Sequence, residues 1–284
     1  MKITAEIAVN DGTLYKVEHE STFTKTLMKV NVFIPKVIKQ SEKIPFILYL
    51  SGLTCTPDNA SEKSMILYFA SLKNLAVVLP DTSPRGAGIE GEDDNWDFGT
   101  GAGFYVDSIN KPWNENYNMY SYINTEIFQL INDNFPIIDT SKCGITGHSM
   151  GGYGAIMMHL RNEGKFKSCS AFAPISNPSI VPWGEKCFGN YLGNDKTKWE
   201  EYDPCCLIKK INKDRKGDIL IHVGDKDVFN YRDNQLRCEN LVEASKGTNW
   251  EIDLNVVKGY DHSYYFVSSF MKDHIEWHYN RLNK

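Results

Sequence analysis

Apolar and polar residues alternate with a period of two over segments 3–9, 13–18 and 27–34, and Pro35 ends the third. That pattern belongs to strands with one buried face, and the three segments predict an antiparallel edge to a sheet. From residue 44 the pattern changes. Segments 44–50 and 75–79 are continuous apolar runs flanking a helical stretch at 61–72, and short apolar runs recur at 143–146, after a turn-like 136–141 region, and at 168–173 and 218–223. Strands covered on both faces read this way. Segment 250–257 alternates again, and helical spacing returns at 117–134 and 264–281. Buried strands alternating with helices predict a mostly parallel central sheet with helices on both faces. The chain contains no internal repeat and no low-complexity linker, so residues 1–284 are expected to form a single domain. Segment 80–116 has little periodicity and is rich in Gly, Asp and aromatic residues, the composition of a functional loop.

At the end of the 143–146 strand stands Gly147-His148-Ser149-Met150-Gly151, followed by further small residues and then Ile156, Met157 and Leu160 at helical spacing. A G-x-S-x-G pattern alone arises by chance in roughly one chain of this length in ten. Its position between a strand and a helix is what makes it the turn that presents a nucleophilic serine. Ser149 is therefore the expected nucleophile, and the architecture that uses such a turn is the α/β-hydrolase fold. A serine hydroxyl needs a base and an orienting carboxylate, which in this fold follow in the order Ser, Asp or Glu, His. The 218–223 strand ends in Gly224-Asp225-Lys226-Asp227, where the acid belongs. The 250–257 strand leads to Tyr260-Asp261-His262, which makes His262 the expected base. The other histidines have duller readings. His222 is mid-strand and expected to be a satisfied core residue, His159 to pack on its helix, and His274 and His278 to lie on a solvated helical face.

A tetrahedral intermediate also needs two donors for its oxyanion. One is the amide of Met150, the residue after the nucleophile. The second comes from Ser51-Gly52-Leu53-Thr54-Cys55-Thr56-Pro57, where Gly52 lets the amide of Leu53 turn inward, with Thr56 as helix cap and Pro57 in the first helical position. The Gly-rich run at 99–103 reads G-x-G-x-G with neither a strand before it nor a helix after it, so it is not a dinucleotide site.

A net charge of −5 with scattered Lys and Arg offers no footprint for nucleic acid. No run approaches the 18 apolar residues of a membrane span, and the first residues lack a signal-peptide core. Seven cysteines without framework spacing fit free thiols in a reducing compartment. No Cys/His cluster has metal-ligand spacing, so no metal is expected.

Several longer stretches carry a resemblance: Ser51 to Thr56, Pro80-Asp81-Thr82-Ser83-Pro84-Arg85-Gly86, Gly91 through Trp96 to Asp107, Gly147 to Gly152, Ala171-Phe172-Ala173-Pro174, Pro182-Trp183-Gly184 and Gly259 to Phe266. Together they resemble the S-formylglutathione hydrolase (esterase D) family, colinearly over about 27–279. The resemblance implies a cytosolic, cofactor-free serine thioesterase, commonly a homodimer. Its substrate would be S-formylglutathione, hydrolysed to formate and glutathione in formaldehyde detoxification, with side activity on small acyl esters. It also implies Asp227 rather than Asp225 as the acid, because the family's catalytic acid falls three residues past Gly224, although Lys226 separates aspartates that the family tends to carry side by side. Trp96, Phe98 and Trp183 are the expected walls of a small acyl pocket, and Cys55, two residues from Leu53, is expected beside it. A carboxylesterase or an acyltransferase would use the same triad.

Overall fold

The computed structural model describes residues 1–36 and 43–283. Nine strands form one sheet: β1 (Lys2–Val9), β2 (Gly12–Glu20), β3 (Leu27–Pro35), β4 (Ile44–Leu50), β5 (Ala76–Pro80), β6 (Ile138–Gly147), β7 (Phe166–Phe172), β8 (Gly217–Gly224) and β9 (Trp250–Val257). Their order is β1-β2-β3-β5-β4-β6-β7-β8-β9. β1, β2, β3 and β5 pair antiparallel and every pair from β5–β4 to β8–β9 is parallel. Helices cover this part of the sheet, so β4, β5, β7, β8 and the second half of β6 are largely buried while β1 stays largely exposed. This is the α/β-hydrolase arrangement, with the antiparallel edge where the alternating pattern placed it.

Three local departures have physical causes. The strand before the elbow begins at Ile138, inside the region expected to turn. Its first half is polar and partly exposed, and it pairs with β4 only at Ile44↔Ile138 before the register shifts to Phe46↔Cys143. The helix expected at 61–72 is two pieces, Pro57–Lys63 and Ile66–Ser71, because Met65 takes a left-handed φ of 63° between them. The first piece starts at Pro57 behind the cap Thr56, as the 51–57 segment led one to expect. The Thr56 hydroxyl accepts from the amide of Asp58, and Asn59 accepts from the amide of Thr56. Three helices between β7 and β8, Pro182–Leu192, Lys196–Glu200 and Pro204–Lys210, gave no periodic signal. Two are a turn or two long and are defined by Asp195 and Asp203 at their N-caps.

The helix Tyr264–Leu282 overturns the reading of its histidines. His274 and His278 are completely buried against the sheet rather than solvated. His274 Nε2 meets His222 Nδ1 at 3.0 Å, and both His274 Nδ1 (2.8 Å) and His278 Nε2 (2.9 Å) meet Ser170 Oγ on β7. Periodicity could not find this, because imidazole counts as polar until its hydrogen bonds are known. His159, on the helix Met150–Arg161, is half-buried with its ring 5.4 Å from that of Trp250.

Burial holds His274 well below the ordinary histidine value and His278 down at about 3, and also lowers His222. All three rings are thus neutral when folded and charged when unfolded below about pH 6.5. Their depressed folded values mean that the stability they contribute is complete above the unfolded value and is lost as pH falls below it. The melting temperature is expected to be flat near pH 7 to 8 and to drop steeply between about pH 6.5 and 5, these three histidines alone taking up roughly two to three protons on unfolding. Calorimetry across that interval checks this; a melting temperature indifferent to it would contradict the assignment.

Candidate active site

β6 ends at Gly147, and Ser149 sits at the turn into the helix Met150–Arg161 with φ 59° and ψ −119°. A side chain in that region is strained and persists only when its surroundings over-determine it. Here the amide of Ser149 donates to the carbonyl of Phe172 at the end of β7 (2.9 Å), and Gly151 lies so close to β4 that a Cβ would stand 1.9 Å from the Leu50 carbonyl oxygen. The turn is wedged between its two neighbouring strands, which leaves the Ser149 hydroxyl at the sheet's C-terminal edge.

β8 and β9 end beside it. Asp227 follows β8, is fully buried, and caps the short helix Val228–Tyr231 by accepting from the amide of Phe229 (2.9 Å) through Oδ1. Its other oxygen, Oδ2, accepts from His262 Nδ1 at 2.6 Å. That bond leaves Nε2 of His262 as the acceptor nitrogen. Asp225 instead accepts from the amide of Gly259 at 2.6 Å and ties the two post-strand loops together. Of the two aspartates, Asp227 alone meets His262.

Ser149 and His262 line one cavity of about 270 Å³. Its mouth is formed on one side by Gly52, Leu53 and Cys55. The amide of Thr54 donates to the carbonyl of Gly101 (2.9 Å) and that of Cys55 to Gly52 (3.3 Å), whereas the amides of Leu53 and Met150 have no acceptor among the described residues. Gly101, at φ 78°, permits this junction, since a Cβ there would come within 2.9 Å of Thr54 Cα. The far wall is a row of aromatic rings. Trp96, 56% exposed, meets Trp183 edge-on at 5.6 Å, Trp183 lies 5.0 Å from Phe229, and Phe229 stands 4.9 Å from the His262 ring.

Phe98 departs from the expectation. It is not a lining residue but is buried behind the loop, 4.7 Å from Trp113 and 4.9 Å from Tyr191. The chain turns back between Asn95 and Phe98, whose amide donates to the Asn95 carbonyl (3.5 Å), and this leaves Trp96 at the cavity while Phe98 enters the core. Cys55 is half-buried, its sulfur 3.9 Å from the Tyr264 hydroxyl, and burial pushes its thiol up. Lining residues not foreseen in that role include Phe229, Tyr264 and His148. Phe229 and Tyr264 each follow a polar partner by two positions, Asp227 and His262, which is the available signal. The ring of His148 lies 4.5 Å from that of His262. Burial first, and then the neighbouring imidazole, hold His148 well below the ordinary histidine value, so it stays neutral beside His262.

Among the described residues, no group of three or more His, Cys, Asp or Glu side chains is placed to hold a metal ion, and no helix is long and apolar enough to cross a membrane.

The arrangement has known relatives. The model of a family described as putative esterase matches residues 21–277. S-formylglutathione hydrolase of Saccharomyces cerevisiae is 47% identical over 298 aligned positions, covering 99% of both chains, and that of Rattus norvegicus is 48% identical, covering 96% of this chain and 95% of its own. A solved S-formylglutathione hydrolase from Agrobacterium tumefaciens superposes with a TM-score of 0.94 at 43% identity, over 99% of this chain and 100% of that one. With identity of this order along nearly its whole length, the chain belongs to the S-formylglutathione hydrolase family.

Proposed function

We propose that this protein hydrolyses S-formylglutathione to formate and glutathione, with Ser149, His262 and Asp227 as its catalytic triad and the amides of Leu53 and Met150 as its oxyanion hole. The observation that carries the reading is the 2.6 Å contact of buried Asp227 with His262 on the cavity that also holds the strained Ser149. His262 Nε2 takes the Ser149 proton as Oγ attacks the formyl carbon. The oxygen that gains charge is met by two uncommitted amides, and the imidazolium is balanced by Asp227. The tetrahedral species collapses, the C–S bond breaks, and the glutathione sulfur leaves with the proton held on His262. Water then gives a proton to His262 and its hydroxide to the formyl-enzyme, releasing formate and restoring Ser149. The mainly apolar cavity suits an acyl group of one carbon and leaves the peptide part of the thiol towards the exposed Trp96. We further propose that the 284 residues act as one domain in a cytosolic homodimer, which the family resemblance supports and light scattering tests.

Ser149→Ala or His262→Ala is expected to lower kcat on S-formylglutathione by several orders of magnitude, leaving only oxyanion and binding contributions. Asp227→Asn should cost about four orders of magnitude. Asp225→Asn should change kcat only slightly, and steady-state kinetics of the pair in which Asp225→Asn is the crippled enzyme would refute the triad.

Formyl thioesters should exceed acetyl ones in kcat/KM by roughly 1 to 3 kcal/mol of transition-state binding, and butyryl ones should be poor. Equal turnover across the three would mark a general esterase.

A maleimide should react slowly at Cys55 near neutral pH, because its raised thiol is little ionised, and the adduct should close the cavity. Wild type is expected to lose activity while Cys55→Ser remains active and resistant. Equal loss in both would place the sensitive thiol elsewhere.

A further inference from the structure

The buried hydrogen-bond chain beneath the elbow is more ordered than core packing requires, and its hub is Ser170. That hydroxyl has one proton, which it donates to Thr146 Oγ1 at 2.8 Å. Its two histidine partners, His274 Nδ1 (2.8 Å) and His278 Nε2 (2.9 Å), must therefore both donate to it. The tautomers of the cluster follow. His274 carries its proton on Nδ1 and accepts at Nε2 from His222 Nδ1 (3.0 Å), and His278 carries its proton on Nε2 and accepts at Nδ1 from Ser168 (2.6 Å).

The position of this chain matters as much as its satisfaction. Thr146 is three residues before Ser149 on β6. Ser170 is two residues before Phe172 on β7, and the Phe172 carbonyl holds the Ser149 amide. The Phe172 ring is stacked on His274, with centroids 3.6 Å apart and planes 16° from parallel. The carbonyl of His222 on β8 holds the amide of Ala173 (2.7 Å). His274 and His278 belong to the helix Tyr264–Leu282, which begins two residues after His262. One set of neutral side chains thus binds the strand before the nucleophile, the strand that anchors it, the strand before Asp227, and the helix after His262.

We propose that Ser170, His274 and His278 are positioning residues: their hydrogen-bonded chain holds the strained Ser149 turn in register with the His262 loop, so that loosening it lowers the reactivity of Ser149 and not only the stability of the fold. The proposal rests on the reading of Ser149 as nucleophile. It needs all three histidines neutral. The charged or titratable groups that face them are Asp253 on β9, Asp273 and Arg281 on the helix Tyr264–Leu282, and His159 on the helix Met150–Arg161.

Ser170→Ala removes one oxygen, leaves two buried imidazole N–H groups without an acceptor, and adds no bulk. Ser168→Ala removes only the contact to His278 on the side away from the elbow. Both are expected to melt at lower temperature. Well below either melting temperature, Ser170→Ala should label its full complement of Ser149 with a fluorophosphonate, but about 10- to 100-fold more slowly than wild type. Its kcat should fall in parallel and its KM stay unchanged, while Ser168→Ala keeps the wild-type labelling rate. A labelling rate for Ser170→Ala within twofold of wild type would reduce the chain to a structural role and overturn the proposal. If Ser170→Ala does not fold, ¹⁵N spectroscopy of wild-type imidazoles decides: protons on His274 Nδ1 and His278 Nε2 support the proposal, and either opposite tautomer overturns it. If wild type fails to hydrolyse S-formylglutathione although Ser149 still labels, the substrate assignment fails separately, and the labelling rates alone judge the positioning role.

Discussion

Ser149 has to be held in a backbone conformation that an L-residue avoids, and the rest of the site depends on that constraint being met. A turn at φ 59° cannot be kept by its own propensity. It is kept by the carbonyl of Phe172 on one side and by the approach of Gly151 to Leu50 on the other. Both contacts come from strands adjacent to β6 in the sheet. The parallel register of β4, β6 and β7 is therefore the means by which a short polar side chain is raised above the sheet edge without freedom to turn away.

The electrostatic part of the site follows a similar economy of parts. Asp227 is fully buried yet doubly committed, one oxygen to the amide that starts a helix and the other to His262. An ionised carboxylate is tolerated at such depth when it is hydrogen-bonded and can balance a nearby cation. Asp225, two residues away and outside that environment, spends its charge on the amide of Gly259. The two aspartates differ in role because the turn between them sends one side chain inward and the other across to the next loop.

Much of this was legible in the chain itself. The antiparallel edge, the parallel centre, and the order of Ser149, the acid and His262 all follow from hydrophobic period and from turns placed after strands. Spacing alone does not separate Asp225 from Asp227, which stand on the same short turn; the contact of Asp227 with His262 is visible only in the coordinates. What stayed hidden was of two kinds. Short helices such as Lys196–Glu200 have too few turns to show a period. Side chains whose polarity is cancelled by distant partners mislead any local reading: His274 and His278 look like a wet helix face until Ser170, more than a hundred residues earlier, supplies their acceptor. Phe98 failed for a related reason, as only the path of the loop separates it from Trp96.

The strand order has a consequence for when the protein can begin to act. Ser149 follows β6, Asp227 follows β8, and His262 follows β9 and precedes the helix Tyr264–Leu282. A nascent chain emerges N-terminus first, so on the proposed reading of the site Ser149, its strand and the amides of Leu53 and Met150 are made well before the histidine that is to take the serine's proton. On that reading Ser149 stays an ordinary alcohol until β9, the His262 loop and the helix Tyr264–Leu282 have emerged and packed on the sheet. The proposed triad would thus be delayed by strand order alone, with no acyl chemistry open to a chain that still lacks β9.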